Sequence, residues 1–181
     1  MAHRILIFFT AFILAACANN DFSRVAPASK SMGAYHLADV SVDFAPDAVL
    51  EWCEDNLLQC DMVELRIAQT FQAGAMAGAT GFRGERPARL EVTVDRFDSI
   101  TLAARYTTGG VHDIDASYRL IDIATGEVIA SRDALDFDRI AWGRAAGIIA
   151  NLNGRTQRVR IAERIAQVTG EWLRAVSGQS I

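Results

Sequence analysis

The chain has 181 residues, of which 51% are hydrophobic and 22% are charged, and its formal net charge is −4. This composition is typical of a globular protein and excludes an intrinsically disordered one. The negative balance argues against nucleic acid or anionic lipid as a bulk partner, because both select a basic surface.

The first segment has the pattern of an export signal. His3 and Arg4 form a short basic start, residues 5–14 are an apolar run, and Ala15 and Ala16 lead to Cys17. The run is too short to cross a bilayer as a helix, which needs about 20 apolar residues, so it is interpreted as a signal peptide at residues 1–16. An ordinary secretory peptide, which would leave Cys17 as a free thiol, is the alternative interpretation.

Residues 1–17 resemble the signal sequences of bacterial lipoproteins, which end in a small-residue site followed by cysteine. The resemblance implies cleavage between Ala16 and Cys17, a diacylglycerol on Cys17 and a third acyl chain on its amine. Two or more acyl chains anchor a protein stably, whereas one binds only marginally. Ala18 and Asn19, in place of an Asp after the cysteine, imply the periplasmic face of the outer membrane rather than the inner membrane.

Residues 17–34 are small and polar and are predicted to form a lipidated tether before a single domain at residues 35–178. The sixteen residues between Cys17 and Ala34 reach at most about 55 Å when they are extended. Removal of residues 1–16 takes away one positive charge, Arg4, and brings the formal charge from −4 to −5. About 165 residues remain, which is enough for one domain with its own core.

Two further cysteines, Cys53 and Cys60, lie seven residues apart. An exported compartment is oxidising, which favours an intramolecular disulfide between them. Residues seven apart on one continuous helix are separated by about 10 Å along the axis, more than a disulfide spans, so the bridge predicts a bend at residues 53–60. A metal or redox pair is the alternative, although this spacing is unusual for either.

The hydrophobic pattern predicts six main elements. Alternation predicts strands at 40–44, ended by Pro46, at 90–95, at 111–120 and at 128–137, with a hairpin turn at 124–127 that places Gly126 at positive φ. Asp61 and Glu64 resemble a capping box that opens a helix ending near Gly78. Residues 156–177 predict a second helix with one apolar stripe, formed by Val159, Ala162, Ile165, Val168, Trp172 and Val176.

The resulting order is β-α-β-β-β-α, with residues 139–155 as a loop that includes a helical patch. Three consecutive strands after a helix predict an antiparallel meander with both helices on one face. The fold class is therefore α+β, a two-layer sandwich.

One histidine and four aspartates are candidates for chemistry. His112 lies beside Asp113, but neighbouring strand residues point to opposite faces, so a structural or surface role is favoured over a general base. Asp113 with Asp115, and Asp136 with Asp138, could do acid–base work or bind Ca²⁺, but a solvated sheet face explains them as well. No recognised catalytic, phosphate-binding or metal-ligand motif occurs, so neither a metal nor a cofactor is predicted.

Four arginines gather near the start of the second predicted helix: Arg155, Arg158, Arg160 and Arg164. Cations are mildly unfavourable there because the helix dipole is already positive. An anionic partner, such as a lipid headgroup or an acidic loop, would relieve this repulsion. A solvated arginine face is the alternative interpretation.

From about residue 37 to 177 the chain resembles a family of small, uncharacterised lipoproteins of alphaproteobacteria. The resemblance is carried by four stretches: residues 94–97, 104–112, 122–127 and 156–161. The architecture is also similar to that of outer-membrane assembly and transport-accessory lipoproteins. The family has no established activity, so the match transfers no site. An anchored small domain without a catalytic constellation favours a non-enzymatic module that binds an envelope protein or lipid, as an accessory to a transport or assembly complex. The alternatives are an envelope hydrolase that uses His112 with a nearby carboxylate, and a structural surface lipoprotein.

Overall fold

The structure of the chain is a computed structural model that describes residues 32–51, 62–99, 110–141, 154 and 156–177. A short 3-10 turn at Met32–Ala34 leads into the first strand. The helices and strands follow in this order: β1 (Tyr35–Glu51), α1 (Val63–Gly78), β2 (Arg86–Asp98), β3 (Gly110–Asp122), β4 (Val128–Asp136), β5 (Arg139–Ala141) and α2 (Gln157–Val176). The predicted α+β class and the order β-α-β-β-β-α are confirmed, with the three-residue β5 as an addition.

The main sheet has the strand order β1-β2-β3-β4. β2, β3 and β4 pair antiparallel and form the predicted meander. β1 pairs parallel with β2, so α1 is the crossover between two parallel neighbours. The short β5 pairs with the first residues of β3. Both helices cover one face of this sheet and leave the other face polar.

Alternation along the strands decides which side chains enter the core. In β2, Leu90, Val92 and Val94 are buried, and in β3 every second residue from Ile114 to Leu120 is buried as well. The intervening residues are only half-buried or exposed. This is the period of two that a strand imposes on its side chains, and it confirms the predicted inward face.

The first strand is longer than predicted. Pro46 was predicted to end it, but β1 continues to Glu51, with an irregularity in its pairing to β2 between Phe44 and Val49. The prediction about Pro46 is therefore wrong. The physical reason is that β1 lies at the edge of the sheet and Pro46 falls within the irregularity in its pairing to β2, so the missing N–H of the proline costs no hydrogen bond between the strands.

The first helix starts differently from the predicted capping box. Its N-cap is Met62, which has a left-handed backbone (φ 55°, ψ 35°) and makes no side-chain cap hydrogen bond. Glu64 lies in the first turn, and Asp61 is outside the described residues. The predicted end at Gly78 is confirmed. Gly126, in the β3–β4 turn, has the predicted positive φ, at 71°.

The second helix has the predicted extent, with Thr156 as its N-cap and Ser177 as its C-cap. Ile165, Val168 and Trp172 are buried as predicted, but Val159 is 41% exposed and Ile161 is buried in its place. Two residues along a helix rotate a side chain by about 200°. Val159 and Ile161 therefore point to opposite sides, and only Ile161 faces the sheet.

The two helices run in the same direction and approach closely through glycines. Arg158 contacts Gln69, and a Cβ placed on Gly74 would lie 2.8 Å from the carbonyl oxygen of Ala162. One turn later, a Cβ on Gly78 would lie closer still to the carbonyl oxygen of Ala166. The absence of side chains at these two glycines is what lets the helix backbones meet.

Candidate functional site

The N-terminal end of α2 lies over a buried polar cluster. The Thr156 side chain accepts a hydrogen bond from the backbone N–H of Val159 (3.3 Å) and opens the helix. The next side chain, Gln157, points inward and is 5% exposed. Its amide Nε2 donates to the hydroxyl of Ser99 and lies 3.4 Å from Nδ1 of His112. Buried polar groups are costly unless they are hydrogen-bonded, and these three satisfy one another.

His112 is therefore an internal residue, with 2% of its surface exposed. The adjacent Asp113 lies on the opposite, outer face of β3, where its side chain is 48% exposed and pairs with Arg96. Asp115 lies on the same outer face as Asp113, because side chains two residues apart in a strand point to the same side of the sheet. The structure thus places His112 and its neighbouring carboxylates on different sides of the sheet, as the alternation predicted.

The four arginines do not form one solvated surface. Arg160 is only 4% exposed, and Arg164 is half-buried. Arg158 points to a different side of the helix and donates to Oε1 of Gln69 on α1 (3.0 Å). Arg155 lies outside the described residues. The interpretation as a solvated face is wrong for Arg160, because the 100° rotation per residue turns its side chain away from Arg158 and into the domain. Partner binding by the four arginines stays a prediction.

The outer sheet face gathers the predicted aspartates. Asp115 and Asp136 are directly opposite in the β3–β4 register, and Oδ1 of Asp138 accepts the backbone N–H of Ile114 (3.0 Å). Burial, followed by the charges of Asp113 and Asp136, raises the pKa of Asp115. Burial also raises the pKa of Asp138, against the effect of its hydrogen bond from Ile114. Within the described part of the chain, no group of three or more His, Cys, Asp or Glu side chains is placed to hold a metal ion.

A second buried charged group, which the sequence analysis missed, lies at the opposite end of β3. Oδ2 of Asp122 accepts a hydrogen bond from the Tyr35 hydroxyl (3.1 Å) and pairs with the Arg86 guanidinium. Oδ1 accepts the backbone N–H of Ala124 (3.0 Å). The Arg86 guanidinium carbon also lies 5.0 Å from the centre of the Tyr35 ring. The sequence did contain a sign of this group. Asp122 continues the alternation that turns every second side chain of β3 towards the core, and a carboxylate that faces the core requires partners.

This environment decides the ionisation of Asp122. Burial by itself raises the pKa, but the hydrogen bonds from Ala124 and Tyr35 and the charge of Arg86 outweigh burial, so the pKa of Asp122 is lowered overall. The ionised carboxylate is thus the form that ties the start of β1 and β2 to the end of β3.

We expect this carboxylate to make the fold acid-sensitive. Because its folded pKa lies below its unfolded value of about 3.9, its contribution to stability is present above that value and is lost as the pH falls through the folded pKa. Asp115 and Asp138 have raised pKa values and act in the opposite sense, since the fold gains stability when they become protonated. Urea denaturation midpoints measured from neutral pH to about pH 2 check this.

The control for that measurement is Asp122→Asn, which keeps the shape of the side chain and removes its charge. The difference between the wild-type and Asp122→Asn curves isolates Asp122 from the other carboxylates. It should shrink as the pH falls through the folded pKa of Asp122. A difference that does not change with pH would show that the ionised form contributes nothing.

The remaining sequence-predicted residues lie outside the described part of the chain: the signal peptide at 1–16, Cys17 and the tether before Met32, and the cysteine pair Cys53 and Cys60. Among the described residues, no helix combines the length and the apolar character that a membrane span requires.

Comparison with solved structures finds several similar chains at low sequence identity. PelC from Paraburkholderia phytofirmans, crystallised as a dodecamer, is 14% identical over 79% of this chain and 95% of that one, with a TM-score of 0.35. A candidate lipoprotein from Caulobacter crescentus CB15 is 13% identical over 83% and 95%, with a TM-score of 0.42. A Xanthomonas campestris protein of the DUF330 family is 15% identical over 86% and 92%, with a TM-score of 0.45.

No curated protein matches the chain. A family model does match, and its match extends over residues 42–180, which is most of the chain and includes every described element from the middle of β1 onwards. The chain therefore belongs to a family of unknown function, DUF6778.

Proposed function

We propose that this protein is a lipoprotein of the bacterial cell envelope, held at the membrane by acyl chains on Cys17, and that its folded domain is a non-enzymatic binding or accessory module. The observation that carries the proposal is the sequence Leu14-Ala15-Ala16-Cys17 at the end of a short apolar run. Such a run is too short to remain as a transmembrane helix. A cysteine placed at the cleavage site supplies the nucleophile to which a diacylglycerol is attached.

The entry point of the chain into the domain suits a tethered module. The first described residues, Met32–Ala34, lead directly into Tyr35 at the start of β1. The fifteen steps from Cys17 to Met32 span at most about 50 Å when extended. The domain can therefore reach a partner near the membrane without lying on the lipid, and its net negative charge favours that arrangement over binding to an anionic lipid surface.

The geometry around His112 supports a binding module over the hydrolase alternative. A general base has to reach the proton that it abstracts, and His112 is 2% exposed beneath α2. Asp113 and Asp115, the carboxylates nearest to it in sequence, lie on the other face of the sheet. His112, Gln157 and Ser99 instead satisfy one another as core polar groups.

The residues that follow the lipidated cysteine support a more specific location for the protein. Ala18 and Asn19 follow the lipidated cysteine, which favours the periplasmic face of the outer membrane. We propose that the domain there serves a transport or outer-membrane assembly complex by binding an envelope protein or lipid. If the protein were instead a purely structural surface lipoprotein, no such complex could be isolated with it.

Cys17→Ala is the test of the anchor. We expect the variant to lose the lipid, to keep its signal peptide and so to migrate as a larger protein. Metabolic labelling of cells with a palmitate analogue, followed by isolation of the tagged chain, measures the lipid directly. Cys53→Ala is the matched control and should be labelled like the wild type. Undiminished label on the Cys17→Ala protein would show that another residue carries the acyl chains and would overturn the proposal.

Export to an oxidising compartment also predicts a disulfide between Cys53 and Cys60. The chain-entropy model gives such a short loop about 2.5 kcal/mol of stabilisation. Alkylation of the denatured, unreduced protein followed by intact-mass measurement should find neither thiol modified, and prior reduction should expose both. Two alkylated thiols without reduction would contradict the prediction.

A further inference from the structure

The first strand leaves one long side open. β1 is the end strand of the main sheet and, apart from a single bridge between His36 and Arg83 at its start, it pairs only with β2. It has 17 residues, whereas strands usually have about 3–10. Proteins commonly keep an edge strand short, because its unpaired N–H and C=O groups can pair with another chain. We call the side of β1 that points away from β2, over residues 39–51, the β1 edge.

One side chain reaches the backbone of the β1 edge. The amide of Gln72 on α1 donates a hydrogen bond to the carbonyl of Val40 (3.3 Å). Within the described part of the chain, no other side chain bonds to the backbone of residues 39–50, and no backbone group outside β1 and β2 pairs with it. From Ser41 onwards the β1 edge is therefore open to an added strand.

The core-facing side of the β1 edge is incompletely covered. Val42 and Phe44 pack against the core but are only half-buried. Their partners in register on β2, Val92 and Val94, are 1% and 0% exposed. Side chains on a strand are flanked by those on both adjacent strands, and β1 has a neighbour on one side only. Apolar side chains of an added strand would complete the burial of Val42 and Phe44.

The solvent-facing side of the β1 edge is acidic. β1 contains no lysine or arginine, and it carries four carboxylates: Asp39, Asp43, Asp47 and Glu51. Asp39 pairs with Arg89 (2.9 Å). The other three are exposed, and within the described part of the chain none of them forms an ion pair. An added strand would place its own solvent-facing side chains beside these carboxylates, where cationic side chains are favoured.

We propose that the β1 edge binds an extended basic segment of a partner protein, which adds a strand to the sheet. In this mode of recognition backbone hydrogen bonds supply affinity, and alternate side chains supply specificity. The segment alternates apolar residues, which cover Val42 and Phe44, with lysine or arginine beside Asp43. A second copy of this chain is disfavoured, because two β1 edges would bring like charges together. The formal charge of the chain, −4, also attracts a cationic partner.

Binding of a designed peptide to the full mature chain, purified with its lipid in a non-ionic detergent, tests the proposal. The probe is a fluorescent peptide of alternating lysine and valine, about ten residues long. The control is the same peptide methylated on every backbone nitrogen, which keeps its side chains and charge but removes its N–H donors. We expect the control to bind at least about tenfold more weakly, because several backbone hydrogen bonds are lost. Equal binding of the two peptides, or no binding of the probe, would overturn the proposal.

Amide hydrogen exchange locates the bound peptide. The amides of residues 39–44 that point away from β2 should exchange more slowly with the probe and not with the methylated control. Slower exchange confined to β4, at the other edge of the sheet, would contradict the assignment to β1. If these amides of β1 were already protected without the probe, the edge would be occupied by a second copy or by another segment of this chain. Dependence on protein concentration would distinguish these two occupants, and either one would refute the proposal.

A matched pair of charge reversals tests the electrostatic part. Asp43→Lys places a cation beside the lysines of the probe, whereas Asp133→Lys changes the net charge equally at an exposed position on β4. Binding of the probe should weaken at least about fivefold with Asp43→Lys, because like charges on adjacent strands repel. It should change by less than about twofold with Asp133→Lys, since salt screens distant charges. Equal weakening in both variants would show that only the overall charge matters and would count against the proposed contact.

The inference names a partner for the proposed binding module, and in that respect it rests on the proposed function. Labelling with the palmitate analogue keeps the two apart, because binding of the peptide in detergent requires no membrane. A labelled chain that does not bind the probe shows that the β1 edge is not the binding site, while the anchor stands. An unlabelled chain that binds the probe shows that the anchor is wrong, while the β1 edge stands.

Discussion

Trp172→Ala is expected to lower the free energy of unfolding by about 3–5 kcal/mol, the usual cost of truncating a buried tryptophan. Trp172 has no exposed surface, and its ring meets that of Tyr118 edge-on, with centroids 5.4 Å apart. Within the described part of the chain, its indole nitrogen has no hydrogen-bond partner. The substitution therefore tests packing alone. Since total stabilities are commonly about 5–15 kcal/mol, one change of this size should leave the domain marginal.

Urea denaturation of the purified domain measures this effect, with Val159→Ala as the control on the same helix. Val159 is 41% exposed, so its truncation should change the stability by no more than about 0.5 kcal/mol. Arg158→Ala should likewise have a small effect, whereas Arg160→Ala should destabilise the fold, because Arg160 is buried. A Trp172→Ala protein as stable as the wild type would contradict the packing of α2 on the sheet.

Gly78→Ala is expected to lower the free energy of unfolding by about 1–3 kcal/mol, the range observed for overpacking. The added Cβ would meet the backbone carbonyl of Ala166 and lie 3.0 Å from Cβ of Thr169. A backbone oxygen cannot rotate away, so the two helices have to separate. In an open helix the same substitution would stabilise by about 1 kcal/mol, so the sign of the effect reports whether the helices touch.

The matched control is Gly81→Ala, three residues later. A Cβ at Gly81 would meet nothing within 4 Å, so the change should be within about 0.5 kcal/mol of zero. Thermal or urea denaturation of both variants is sufficient. If Gly78→Ala were as stable as Gly81→Ala or more stable, the close approach of α1 and α2 would be refuted.

The helices α1 and α2 also show which features of the fold could not be predicted from the sequence. The periodicity of residues 156–177 was enough to predict α2 and the burial of Trp172, because apolar residues recurred at helical spacing. Val159 fitted the same stripe but points to solvent, since several rotations of a helix satisfy a broad apolar pattern. Only contact with the sheet and with α1 selects one rotation. Gly78 was interpreted only as the end of the helix and Gly74 was not singled out, so the role of both glycines in the contact was missed.

For the candidate functional residues, too, only the features set by local geometry could be predicted from the sequence. Alternation in β3 correctly separated His112 from Asp113, because that separation depends on local geometry. Gln157 is 45 residues from His112 and Tyr35 is 87 residues from Asp122, and no local pattern in the sequence predicts such distant partners. The four arginines were treated as a group because they are close in sequence, yet helix rotation and burial separate Arg160 from Arg158.

The sequence by itself thus determined the order of elements, the inward faces of β2 and β3 and the resemblance of residues 1–17 to a lipoprotein signal, because these depend on residues that are close together in the chain. The tertiary structure alone decided the parallel pairing of β1 with β2, the glycine contact between the helices and the buried polar clusters. These features depend on which distant segments meet. That choice minimises the free energy of the whole core, which short-range patterns do not specify.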